Sequence, residues 1–267
     1  MKISIVIPTY NEEKYLPKLL TSIKKQTFKD FEVIVADAFS KDKTREIAKK
    51  FGAIVVDGGL PAKGRNEGAK IAKGKYIYFL DADVRLPKNF LEKTIDEIEK
   101  NKIDLATCYI KPISNLEIDK KIHILANMFI KITSRTKKPY APGFCIIANK
   151  KLHKKIKGFN ESLRMSEDHD YVRRMIKFGK FKVLESSIIY VSVRRLKKEG
   201  RLNLIKKYLL LETYNLFNIK KNIEYEFGDF SRKKYSKIDK ELIKLERQLK
   251  SIYRKYRMTW NFIKNNF

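Results

Sequence analysis

Short β-branched runs alternate with stretches of helical spacing over the first half of the chain, and this alternation constrains the fold more than any single motif. Ile3-Ser4-Ile5-Val6-Ile7 is an apolar run closed by Pro8. Tyr15, Leu16, Leu19, Leu20 and Ile23 then recur at the spacing of one helix face. Phe31 to Val35 is a second strand, and residues 42–51 read as a helix. Ala53 to Val56 is a third strand, ended by Gly58-Gly59. A helix over about 63–73, a strand Tyr76 to Leu80, a helix around 88–100 and a strand near 103–109 follow. Strand, helix, strand in this order predicts an α/β fold, with a mostly parallel sheet covered by helices on both faces.

In such sheets ligands bind outside the carboxyl ends of the strands. That rule selects Pro8-Thr9-Tyr10-Asn11-Glu12, Asp37 and Asp81-Ala82-Asp83, each directly after a strand. Asp81 and Asp83 lie two residues apart, so in extended chain their carboxylates share one side. Such a pair suits Mg²⁺ or Mn²⁺, which take few carboxylates together with phosphate oxygens and water. The same spacing also occurs in ordinary solvated turns, and it recurs at Asp168-His169-Asp170.

The second half is less regular. Residues 117–134 carry an amphipathic helical pattern, Gly143 to Ala148 reads as a strand, and Met165 to Phe178 as a helix with an acidic start. Residues 202–219 read as a long apolar-rich helix. Ile238, Leu242, Leu245, Leu249, Ile252 and Tyr256 follow a heptad seam that would pack on the first half of the chain or pair two copies into a homodimer. At Ser166-Glu167-Asp168-His169-Asp170 two roles compete. The acids cap a helix N-terminus, or one of them accepts a proton in catalysis; Glu167 can cap while Asp168 reacts. Crowding of the three acids should raise the pKa of at least one. Lys63-Gly64-Arg65-Asn66-Glu67-Gly68, before a helix, is either a phosphate-facing start or an exposed one.

The 267 residues carry a net charge of +29. The excess is spread along the chain and fits phosphorylated substrates, an anionic membrane face, nucleic acid or a lineage bias toward lysine. The acids at three strand ends argue against a nucleic-acid binder. Cys108 and Cys145 have no partner at metal-ligand spacing and read as reduced packing residues. No leader precedes the first strand, and no run reaches the roughly 18 apolar residues of a membrane span. The expected location is therefore cytoplasmic, with any membrane contact peripheral and at the inner face, through the segments 117–134 and 202–219.

Taken in order, Val6-Ile7-Pro8-Thr9-Tyr10-Asn11-Glu12, Glu32 to Asp37, Arg65-Asn66-x-Gly68, Phe79-Leu80-Asp81-Ala82-Asp83, Gly158-Phe159-Asn160-Glu161 and Glu167-Asp168 resemble the family 2 inverting glycosyltransferases of the GT-A (Rossmann-like) fold. The resemblance covers about residues 1–195. It implies a catalytic domain over 1–195, with a nucleotide-sugar-binding half (1–110) and an acceptor and base half (111–195). A basic helical segment, 196–267, would follow. It also implies site roles. Pro8, Thr9, Tyr10, Glu12 and Asp37 would line the nucleotide pocket, with Arg65 reaching the nucleotide or its phosphates. Asp81 and Ala82 would border the ribose and diphosphate, Asp83 would hold the metal, and Asp168 would be the base. The reaction implied is an inverting, metal-dependent transfer from a nucleotide-diphosphate sugar to an acceptor hydroxyl, and a lipid-phosphate-linked acceptor suits the charge. Two departures stand out. Members often read Asp-Asp-Gly-Ser where this chain has Asp37-Ala38-Phe39-Ser40, and Lys157 stands where a glycine is common. The competing enzymatic reading, a nucleotidyltransferase, would want a Gly-rich basic loop where Pro8 to Glu12 stand.

Overall fold

The computed structural model describes residues 1–163, 166–203 and Lys244. The heptad seam and the 202–219 helix expected from the sequence lie beyond these, apart from residues 202 and 203 and Lys244. The chain runs β1 (Ile3–Thr9), α1 (Leu16–Lys24), β2 (Phe31–Asp37), α2 (Thr44–Lys50), β3 (Ile54–Asp57), α3 (Pro61–Ile71), β4 (Tyr76–Leu80), β5 (Val84–Arg85) and α4 (Phe90–Asn101). It continues with β6 (Leu105–Pro112), α5 (Glu117–Thr133), β7 (Cys145–Asn149), α6 (Lys150–Lys155), α7 (Glu167–Met175), β8 (Phe181–Val191) and α8 (Arg194–Glu199).

The strands form one sheet in the order β3-β2-β1-β4-β7-β6-β8-β5. The parallel arrangement expected from the strand and helix alternation covers β3, β2, β1 and β4. Beyond β4 the sheet is mixed. β7 enters antiparallel between β4 and β6, and β5 runs antiparallel to β8, while β6 and β8 are parallel. The two-residue β5 and the strand β8 were not legible in advance. In β8 the apolar pattern is broken by Glu185-Ser186-Ser187. The pairing jumps from Cys108–Leu184 to Tyr109–Ile188 across that trio, so the three polar residues bulge out of the ladder.

Alternation along each strand feeds two cores, one per face of the sheet. Ile3, Ile5 and Ile7 of β1, with Tyr76, Tyr78 and Leu80 of β4, pack against Leu16, Leu19, Leu20 and Ile23 of α1 and against Phe90, Leu91, Ile95 and Ile98 of α4. Val6, Ile77 and Phe79 face the other way, toward Ala62 and Ala69 of α3 and Tyr171, Val172 and Met175 of α7. Cys108 and Cys145 are buried and unbridged in the first of these cores. Gln26 couples the first pair of helices. Its amide donates to the Pro87 carbonyl at 2.7 Å and its oxygen accepts from the Leu91 N–H at 3.0 Å, which supplies a partner to the opening turn of α4.

The described residues divide into two compact units: Met1–Ile113 with His123–Ser192, and Ser114–Ile122 with the residues from Val193 onward. In the second unit, Val193 and Leu196 pack on Ile122. Arg201 lies fully buried there. Its Nε and Nη2 donate to the two oxygens of Asp119 at 2.8 and 3.1 Å, a bidentate pair that offsets part of the cost of burying both charges. Among the described residues no helix is long and apolar enough to cross a membrane.

His153 of α6 is buried among the rings of Phe79, Phe159 and Tyr171, with Nδ1 2.9 Å from the Tyr171 hydroxyl. Burial, reinforced by the positive charges of Arg174 and Lys154, lowers its pKa from 6.5 to about 4. The unfolded chain therefore binds a proton that the fold resists. This contribution to stability is intact above pH 6.5 and is lost as the pH falls toward 4, reaching about 3 kcal/mol at full protonation. Thermal unfolding followed across this range should show the melting temperature falling from pH 6.5 to 4. His153→Gln should flatten that part of the profile.

Candidate active site

The site is built where the strands of the parallel half end. β1 ends at Thr9 and β2 at Asp37, and a polar network joins the loops that follow. Asp37 is fully buried, and its carboxylate accepts from Thr9 Oγ1 (2.9 Å), Ser40 Oγ (2.6 Å), the Ser40 N–H (2.9 Å) and Arg45 Nη1 (3.4 Å). Those four donors fill the acceptor sites of a carboxylate. Asp37, expected against the nucleotide, thus organises the loops from beneath. Asn11, at φ +53°, crosses between the two loops: its N–H donates to Ser40 Oγ and its Oδ1 accepts from the Lys41 N–H, both at 2.8 Å. Pro8, Thr9 and Glu12 are buried, and Tyr10 is half-buried.

Three residues of α3 hold this edge to the rest of the site, each differently. Gly68 lets the helix lie on β1, since a Cβ there would stand 2.3 Å from Val6 Cγ1. Asn66 clamps a loop 93 residues away: its Oδ1 accepts from the Phe159 N–H at 2.8 Å, and its Nδ2 donates to the Phe159 carbonyl at 2.9 Å and to Glu161 at 2.8 Å. That loop turns through Lys157 at φ +60° and Gly158 at φ +69°. Lys157 therefore occupies a left-handed position that glycine adopts without strain.

Arg65 is the hub. Its side chain is 3% exposed. Nη1 donates to Glu167 Oε1 at 2.7 Å, while Nη2 donates to Asp81 Oδ1 at 3.2 Å and to the Gly143 carbonyl at 3.3 Å. The guanidinium also lies over the Phe159 ring, 5.4 Å from its centroid. Arg65, expected to reach the nucleotide or its phosphates, directs its charge here to the protein's own carboxylates. It thereby brings the end of β4 and the start of α7 to one place. Gly143 completes the link: its N–H donates to Asp168 Oδ2 at 3.0 Å. A side chain at Gly143 would collide with the guanidinium, its Cβ falling 2.6 Å from Arg65 Nη2.

Helix α7 opens with Glu167, Asp168 and Asp170 in its first turn. Ser166, at φ +58°, makes no side-chain cap. Asp168 is instead fixed by Gly143 and by the His169 N–H, which donates to Oδ1 at 2.9 Å. The His169 ring meets Tyr140 edge to face at 4.7 Å. Asp168 and Glu167 remain slightly open, 18% and 14% exposed, and Asp81 more so at 39%. Burial and the neighbouring Asp168 push the Glu167 pKa up, with Arg65 offsetting part of the rise. Burial alone would lower the pKa of Arg65, but Glu167 and Asp81 outweigh it, so the guanidinium stays charged. Among the described residues, the Arg65 guanidinium thus faces three carboxylates, Asp81, Glu167 and Asp168.

Asp83 lies between β4 and β5, two residues beyond Asp81 and separated from it by the buried Ala82. Among the described residues no three His, Cys, Asp or Glu side chains form a ready metal cage. A Mg²⁺ or Mn²⁺ that completes its shell with phosphate oxygens and water needs only one or two carboxylates, and this donor set fits that arrangement. The sequence did not reveal Gly143 or Tyr140 as part of the site, nor Arg65 as its centre. For Gly143 and Tyr140 the sequence carries only a Pro-Gly step before β7.

Comparison with known proteins agrees with this architecture. The model of glycosyl transferase family 2 matches residues 4–157. A glycosyltransferase of Methanocaldococcus jannaschii, MJ1057, is 33% identical over 229 residues, covering 80% of this chain and 78% of that protein. The poly(ribitol-phosphate) beta-N-acetylglucosaminyltransferase TarS of Staphylococcus aureus is 34% identical over 124 residues, which is 43% of this chain and 22% of TarS. The crystal structure of TarS residues 1–349 in complex with UDP-GlcNAc superimposes with a TM-score of 0.61 at 27% identity, covering 72% of this chain and 58% of that one. The chain is a member of glycosyl transferase family 2, and its fold is the GT-A fold.

Proposed function

We propose that the chain transfers a sugar, with inversion, from a nucleoside-diphosphate sugar to an acceptor hydroxyl. The observation that carries this reading is the Arg65 link, which sets the acidic start of α7 beside the carboxyl end of β4. In this reading the nucleoside lies over the β1 and β2 loops, against Tyr10 and the backbone that Pro8, Thr9, Glu12 and Asp37 hold in place. The diphosphate lies toward Asp81, Ala82 and Asp83. Asp83 would hold a divalent cation, which when bound offsets the charge that grows on the leaving diphosphate. Arg65 keeps Asp81 and Glu167 fixed and their charges partly neutralised. Asp168, oriented by the Gly143 N–H, takes the proton of the acceptor hydroxyl as its oxygen attacks the anomeric carbon from the face opposite the diphosphate. Positioning of both substrates on one rigid edge supplies the rest of the rate.

A uridine diphosphate sugar is the first donor to test, since TarS crystallised with UDP-GlcNAc. The name of TarS records a phosphate-bearing polyol polymer as acceptor, and an anionic acceptor of this class suits a chain of net charge +29. Asp168→Asn should lower turnover by about 10²- to 10⁴-fold while the donor still raises the melting temperature. Asp83→Ala should remove the extra stabilisation that Mn²⁺ adds to that donor shift. Wild-type turnover in both variants would refute the assignment.

Contact with a membrane is part of the same proposal. Ile124, Leu125, Met128, Phe129 and Ile132 of α5 are all exposed and recur at helical spacing, and Lys120, Lys121, Lys131, Arg135 and Lys137 accompany them. An apolar helix face with basic neighbours suits an anionic bilayer surface. The protein should sediment with phosphatidylglycerol vesicles at low salt, and Leu125→Asp with Ile132→Asp should release it. Equal sedimentation of wild type and variant would remove α5 from that role.

A further inference from the structure

Phe39 is out of place by two measures. It holds φ +56°, a conformation that bulky side chains rarely adopt, and its side chain is 66% exposed. A left-handed backbone at a bulky residue costs stability, and the ring that carries that cost faces solvent. The conformation is nonetheless held firmly from either side. The Ala38 N–H donates to the Thr9 carbonyl at 2.8 Å. Ser40 is bound to both oxygens of Asp37 and accepts from the Asn11 N–H. The flanks of Phe39 are thus tied to the end of β1 and to buried Asp37, and the ring is presented on a fixed turn at the carboxyl edge of β2.

That edge is the nucleoside end of the site in the reading above, on which this inference rests. β1 lies between β2 and β4. At about 4.8 Å per strand, Phe39 follows a strand end about 10 Å from the one that carries Asp81. This separation suits a base at one end and a diphosphate at the other. The side chains of the Asp37 to Ser40 turn are already committed or apolar: Asp37 has its acceptor sites filled from within, Ser40 Oγ is bound to Asp37 and Asn11, and Ala38 has no polar group. A fixed, exposed aromatic ring offers the alternative, which is contact with the face of the base.

We propose that Phe39 is a stacking platform for the base of the donor nucleotide, so that the chain recognises the base by its face at this loop. Phe39→Gly separates this role from a structural one, because it relieves the positive φ and removes the ring together. Calorimetric titration with UDP and GDP in Mg²⁺, and with pyrophosphate as a ligand lacking the base, provides the measurement. Phe39→Gly should melt at a higher temperature than wild type. It should bind the nucleoside diphosphate about ten-fold or more weakly, and bind pyrophosphate unchanged. Phe39→Tyr should keep wild-type affinity for both. Unchanged nucleotide affinity in Phe39→Gly would overturn the proposal. So would an equal loss for nucleotide and pyrophosphate, which would mark a collapsed loop. If wild type itself binds neither UDP nor GDP, the donor-site reading fails and this inference with it.

Discussion

A guanidinium buried to 3% exposure cannot stand alone, and the rest of the site follows from how Arg65 is satisfied. Taking an arginine out of water costs several kcal/mol, and removing one partner from a buried ion pair costs about 3–5 kcal/mol. Arg65 therefore demands carboxylates close by, and it finds Asp81 at the end of β4 and Glu167 at the start of α7. The same demand explains Gly143, whose carbonyl accepts from Arg65 and whose missing side chain leaves room for the guanidinium. Because the Gly143 N–H then donates to Asp168, one buried charge orients the proposed base through a single residue.

The edge at the ends of β1 and β2, where the proposal places the nucleoside, works by a different principle. There the buried group is a carboxylate, Asp37, and neutral hydroxyls and an N–H satisfy it together with a more distant arginine. The result is a pair of stitched loops in which Asn11 and Phe39 are held at positive φ. Strain of this kind persists only where surrounding bonds over-determine the backbone. In the proposed arrangement, a fixed loop at one end and a charge-locked cluster at the other would leave substrates bound between them little to reorganise, which is the condition for catalysis by positioning.

Most of the parallel half could be read from the sequence, because each strand from β1 to β4 is a compact apolar run with a helical period after it. The two-sided cores follow from the same runs: Val6 faces one side while Ile5 and Ile7 face the other. The antiparallel insertion of β7 was not legible, since pairing direction depends on partners far along the chain. Nor was β8, whose apolar spacing is interrupted by a polar bulge. In the site, the acids were visible by position, but their connection was not. Arg65 and Glu167 are 102 residues apart, and neither local propensity nor spacing reports such a pairing. The same holds for Asp37: its place after a strand marked it as important, and only the hydrogen bonds around it show that its oxygens are occupied.

The central claim is that one continuous edge, from the β1 and β2 loops past β4 to α7, binds the donor and carries the base. The most direct measurement is a crystal structure of the protein with a uridine diphosphate sugar and Mn²⁺. The account predicts the base over the Asp37 to Ser40 loop and the diphosphate beside Asp83. It also predicts the anomeric carbon turned toward Asp168, with Arg65 still bound to Asp81 and Glu167. A donor bound elsewhere on the sheet, or a site in which Arg65 leaves both carboxylates to grip the phosphates, would contradict it.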